Sequence, residues 1–180
     1  MQEPIPNKLD LGHIASLRLT ASNSALIGSG LLWIGLSALA VIFLRMAIIE
    51  AVALGLFAVL LHWIGDIAHQ LGHARAARAS GHPMIGIRLW GLLSSSIYPA
   101  DEPPLPAQVH IRRALGGPIL SLVLALISGA LVLLLPTASF FWWLALFFAA
   151  DNLLVFTIGS LLPLGFTDGS TILRWLRKPS

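Results

Sequence analysis

Apolar residues gather into long blocks along this chain, and the block lengths dictate the elements. Ala25 to Leu44 is an uncharged stretch of 20 residues closed by Arg45, which matches the roughly 20 residues an α-helix needs to cross about 30 Å of hydrocarbon. Gly28, Gly30 and Gly35 with Ser29 and Ser37 supply small positions for close helix packing in lipid. Only a short link around Arg45 to Glu50 separates this stretch from a second apolar run, so the two form an antiparallel hairpin whose second helix covers about 48–76. Ala114 to Ala150 is then 37 residues without a charge. Pro136, followed by Thr137 and Ser139, divides that run, because proline is disfavoured inside helices and here marks a turn. A third helix at about 117–135 and a fourth at about 140–162 follow.

The polar stretches are harder to read. Residues 1–24 form a polar lead with scattered apolar positions and without the ordered basic, apolar and small-residue regions of a signal peptide, so it is expected to stay on the mature protein. Gly81 to Pro104 is the least helical part. Over 83–100 it shows loose alternation around Ile85, Ile87 and Leu89, two glycines and bounding prolines, the pattern of one or two short strands and a turn. Apolar strands near a bilayer are tolerated only where protein covers them or they line a cavity. The segment is therefore a lid, an edge that another extended chain could join, or an ordinary surface loop. Beyond Pro163 a turn containing Gly and Asp leads into a short basic tail, 170–180. The expected fold is an all-α polytopic membrane protein: four transmembrane helices with a short strand-like insertion after the second, in a core over 25–169.

Composition agrees. Of 180 residues, 57% are hydrophobic and 11% charged, where soluble proteins carry about 25% charged residues. The absence of Cys excludes disulfides and thiolate metal sites. A net charge of +3 could suggest nucleic acid, but the cations are sorted by side. With four crossings, Lys8, Arg18, Arg75, Arg78, Arg88, Arg112, Arg113, Arg174, Arg177 and Lys178 fall on one side and only Arg45 on the other. Ten against one is a strong positive-inside bias, which puts both termini in the cytoplasm of a prokaryotic-type cell, with the chain in its inner membrane. Nucleic acid is not expected as a partner; the lipid bilayer and a transmembrane protein are.

Candidate chemistry sits in WIGDIAHQLGHARAA, Trp63 to Ala77. His69 and His73 are four apart and share a helix face. At 100° per residue, with His69 at 0°, His62 falls at about 20°, His73 at about 40° and Asp66 at about 60°. Asp168, just past the fourth helix, arrives at the same depth on the same side. His, His and Asp make an ordinary donor set for catalytic zinc, although the two imidazoles could equally be satisfied by neighbouring side chains. Hydrolysis at such an ion needs a general base, normally a carboxylate following the first His. That position holds Gln70, whose amide cannot take a proton. Asp66 could replace it as base, serve as a fourth ligand, orient a ligating imidazole, or belong to a polar network with His62 or Asp151.

These residues resemble the site-2 protease family, the M50 intramembrane zinc metallopeptidases. The resemblance is carried by HQLGH at His69 to His73, by Gly116, Gly117 and Pro118 at the expected start of the third helix, and by SLLPLGFTDG at Ser160 to Gly169, which includes Pro163. It implies Zn2+ held by His69, His73 and Asp168. It also implies cleavage of a transmembrane substrate near the cytosolic face, with Ser160 and an edge at Ile85, Ile87 and Leu89 contacting the substrate. Gln70 stands where the family has its catalytic Glu and Ser160 where it has Asn. Gln70 is either an engineered inactivation or native. If native, it marks a protease that has recruited Asp66 or a pseudoprotease that binds membrane segments without cutting them.

Overall fold

A computed structural model describes residues 8–177. Among these, four helices are long and apolar enough to cross a membrane. They are α1 (Asn23–Leu44), α2 (Ile48–Ala79), α3 (Ala107–Leu134), and α4 (Phe140–Ala150) continued by a π-helical stretch over Asp151–Gly159. A shorter amphipathic helix, α5 (Asp168–Leu176), follows. Large apolar side chains such as Phe43, Leu133 and Leu134 stand 72–85% exposed, a surface that water would penalise and lipid accepts.

The strands correct the all-α expectation. A four-stranded sheet runs β1 (Lys8–Ile14), β2 (Leu17–Ser22), β3 (Gly86–Trp90), β4 (Leu93–Ile97) in that spatial order. It is not a short insertion after the second helix, because half of it precedes α1. β2 and β3 pair in parallel, with Leu19 opposite Ile87, while the other two pairings are antiparallel. Residues 8–22, expected as part of a plain lead, thus form a hairpin; residues 1–7 of that lead lie outside the described residues. The reason is burial on one face. Leu17 and Ala21 pack with Ile87 and Leu89 of β3 against Ala74 and Ala77 at the end of α2. A second core, built on Ala40, Ala51, Leu54, Ala58 and Leu144, joins α1, α2 and α4.

One close approach sets the spacing of α2 and α3. The Gly72 and Gly116 backbones face each other so tightly that a Cβ on either would run into the other's carbonyl, drawing α2 and α3 together as small residues do in lipid. α3 begins ten residues before the expected start at 117, so Pro118 lies inside it rather than at its head.

Candidate metal centre

α2 carries His69 and His73 on its buried face, each 5% exposed, with their Nε2 atoms 2.9 Å apart. The third donor comes from the other end of the chain. After the π-helical stretch the backbone turns back, pinned by Thr167 Oγ1 on the Leu162 carbonyl and by the Gly165 N–H on Ser170 Oγ. Gly169 has no room for a Cβ beside the Leu161 backbone. The turn, with Pro163 exposed in it, delivers Asp168 as the first residue of α5. Asp168 Oδ2 stands 3.2 Å from His69 Nε2 and Oδ1 3.4 Å from His73 Nε2. One donor atom from each of the three residues lies within 4.8 Å of the others. Burial works to raise the Asp168 carboxyl, but the His69 and His73 rings beside it hold it down at about 2, so it is a carboxylate at neutral pH.

The far edge of each ring is taken. His73 Nδ1 lies 2.8 Å from the Arg113 carbonyl, which can only accept, and 3.2 Å from the Gly117 N–H, which can only donate; with its proton on the shorter contact, the neutral ring presents a lone pair at Nε2. His69 Nδ1 meets Ser121 Oγ at 3.0 Å. Two ring nitrogens and a carboxylate converge here, and once the rings give up any Nε2 proton they share with Asp168 the set suits a divalent cation. α3 leaves space for one. A Cβ at Gly117 would strike Nε2 of both His69 and His73, so glycine keeps open the point where the donors meet. The residues present fit zinc.

This centre opens onto a cleft of about 730 Å3, bounded by α2, by Leu93 to Ser96 of β4 and by Leu154 to Phe156, Gly159 and Ser160 of the fourth helix. Gln70 lies in its wall, 5% exposed, and its Oε1 accepts a 2.6 Å hydrogen bond from Ser96 Oγ. Asp66 also lines the cleft, 2% exposed, with Oδ2 lacking any hydrogen-bond partner. It stands outside the donor group and makes no hydrogen bond to either ring; Ser121 and the Arg113 carbonyl have the orienting role it could have held. The polar network expected around it is joined by a hydrogen bond between its neighbours, His62 Nδ1 lying 3.1 Å from Asp151 Oδ2. Ser160 faces the cleft, with its hydroxyl donating back to the Phe156 and Thr157 carbonyls.

The open strand edge beside the cleft lies one strand away from the one expected. Ile87 is 0% exposed and Leu89 6%, both in the core under the sheet, and β3 is paired on both sides. Ile85 is exposed but precedes the strand. The edge with one unpaired side that borders the cleft belongs to β4, because β3 needs its own two neighbours to cover its backbone. Sequence reasoning also missed Ser121 and Arg113. A signal was there: 113, 117 and 121 are each four apart on α3, one stripe facing the histidines. Arg113 is buried, paired with Glu102 and stacked 4.2 Å over the Tyr98 ring, so its side chain pins the 98–102 corner while its carbonyl holds His73.

No family model and no curated protein matches the chain. Among solved structures, the fold is similar to that of the Site-2 Protease from Methanocaldococcus jannaschii, with a TM-score of 0.66 and 18% sequence identity over 94% of this chain and 71% of that one. At that identity the likeness shows a shared fold.

Proposed function

We propose that this chain is an intramembrane zinc metalloprotease scaffold that receives a stretch of a transmembrane protein in the cleft beside β4, and that Gln70 leaves it impaired in hydrolysis. The observation that carries this reading is the convergence of His69, His73 and Asp168 around the gap left by Gly117, beside a strand edge, in a fold shared with a site-2 protease. Arg18 and Arg88 on the sheet and Arg174 on α5 share that end of the molecule with the metal centre, and Arg45 lies at the far end of α2. This supports cleavage near the cytosolic face, with both termini in the cytoplasm.

His69, His73 and Asp168 would hold Zn2+, which supplies a Lewis acid for polarising a peptide carbonyl. The remaining work belongs to the chain. The open side of β4 offers backbone N–H and C=O groups to an unwound segment, the mode in which a sheet edge captures an extended chain. Ser96 fixes the Gln70 amide in the wall, and that amide neither takes nor returns a proton at working pH. Asp66, one turn along α2 with an unpartnered oxygen in the cleft, is the carboxylate placed to substitute. Glu102 lies in the same cleft but is bound to Arg113.

Metal analysis of the purified chain beside a His69→Ala variant tests the reading. One equivalent of zinc, lost in the variant, is expected; equal metal in both would refute it. A second reading, a pseudoprotease that captures membrane segments without cutting them, is favoured by the 2.6 Å bond that ties Gln70 to the capturing edge itself. Capture without cleavage in both the wild-type chain and a zinc-loaded Gln70→Glu variant would select it.

A further inference from the structure

His62 is among the buried polar groups that lie outside the metal centre and its cleft. His62 is 4% exposed, two turns before His69 on α2 and one turn beyond Asp66, the last α2 residue in the cleft wall. Both of its nitrogens are committed. Nδ1 lies 3.1 Å from Asp151 Oδ2, at the point where α4 becomes π-helical, and Nε2 lies 2.9 Å from the carbonyl of Leu92, in the turn between β3 and β4. A carbonyl only accepts, so Nε2 carries a proton, and the carboxylate of Asp151 shares a second one with Nδ1.

The turn it grips is a seated part of the structure. Gly91 has φ +55°, its N–H donates to Ser24 Oγ at 3.1 Å, and its carbonyl lies so close to Gly28 of α1 that a Cβ there would collide with it. The two elements bridged by His62 are two of the walls of the cleft: β4 begins one residue after Leu92, and the π-helical stretch runs from Asp151 past the lining residues Leu154 and Phe156 to Gly159.

We infer that His62, with Asp151, is a positioning clamp that ties the β4 wall to the fourth-helix wall across the end of the cleft. It thereby fixes how far the capturing edge stands from Gln70 and the metal centre. The inference rests on the proposed role of β4 as the capturing edge. His62 touches no donor of the metal centre, and it acts only through the strand it seats.

Hydrogen exchange of the full chain in lipid nanodiscs tests it, comparing wild type with His62→Phe, His62→Gln and Asp151→Leu. Phe fills the space without a hydrogen bond, Gln can still join the Leu92 carbonyl to Asp151, and Asp151→Leu leaves the ring without the partner that orients its Nε2–H toward Leu92. Loss of a buried, charge-assisted bond should speed exchange over residues 92–97 about ten- to hundredfold in His62→Phe and Asp151→Leu, with α2 unchanged. His62→Gln should stay within about threefold of wild type. Wild-type exchange in His62→Phe, or exchange in His62→Gln as fast as in His62→Phe, would overturn the clamp. If His62→Phe does not fold, Asp151→Leu, which leaves the ring in place, decides alone. Zinc content should be retained in every variant. A wild-type chain without zinc would sink the metalloprotease reading, and the exchange data would still decide the clamp.

Discussion

Gly117→Ala is the smallest change that should empty the metal centre. An ideal Cβ at residue 117 lies 2.5 Å from His69 Nε2 and 2.6 Å from His73 Cε1, whereas ordinary contact begins at 3.4 Å. The rings must therefore retreat by nearly 1 Å, several times the roughly 0.2 Å within which metal–ligand distances hold. They cannot do so freely. His73 is tied through Nδ1 to the Arg113 carbonyl, and His69 to Ser121, both on the helix that carries the new methyl group. Disturbing one such outer hydrogen bond typically costs about 10–100-fold in metal affinity, so two disturbed together predict a loss of about 10²–10⁴.

Helix propensity acts in the opposite direction, since Ala is favoured over Gly in a helix interior by about 1 kcal/mol. A loss of affinity could not then be blamed on a weakened α3. Gly129→Ala supplies the control: it lies on the same helix, and a Cβ there meets nothing within 4 Å. Zinc affinity measured by competition with a chromophoric chelator, on chains of matched helicity, reads the difference. Binding by Gly117→Ala within about threefold of wild type would refute the claim that the histidines converge on the gap beside this glycine.

Gln70→Glu keeps the acceptor that Ser96 uses and restores a group able to take a proton, so a zinc-loaded sample should cleave a model transmembrane substrate faster by about 10²–10⁴. An unchanged rate would remove the impaired-protease reading. Asp66→Asn in the Gln70 chain should abolish residual cleavage while leaving zinc bound, because Asp66 lies in the cleft but outside the donor group; undiminished cleavage would exclude it as the substitute base. Glu102 is held below its ordinary 4.5 chiefly by the hydrogen bond from Arg113. Its stabilising contribution is therefore full above about pH 4.5 and is lost as the pH falls through the lowered value, and thermal unfolding should show this loss in wild type and not in Glu102→Gln.

The helices were legible because their signal is length. Twenty uncharged residues before Arg45 can do little else but span a bilayer, and α1 runs from Asn23 to Leu44. The sheet was half hidden for two physical reasons. β1 and β2 have short alternating patterns that a 24-residue polar average conceals. Their turn also lacks the usual Asn-Gly or Gly-Gly signature, since Ala15 and Ser16 themselves adopt positive φ of 49° and 69°. Parallel pairing of β2 with β3 across two membrane helices leaves no local trace. The alternation at Ile87 and Leu89 was real, but it reported burial of that face of β3 against the end of α2, while Ile85 precedes the strand and is exposed.

The three candidate metal donors were legible for a reason that the rest of the site does not share. His69 and His73 are related by helical period, and Asp168 by the counting of crossings, so sequence spacing alone carries their convergence to within one turn. Ser121, the Arg113 carbonyl and Gly117 act from a neighbouring helix, and their reach to the histidines depends on how closely α3 approaches α2. That approach is decided by Gly72 against Gly116, a contact of backbone with backbone. Glycine pairs specify distance without leaving a chemical signature. Residue types therefore reveal which atoms could bind a cation, while the packing that orients their lone pairs and preserves the space between them stays hidden until the helices are placed.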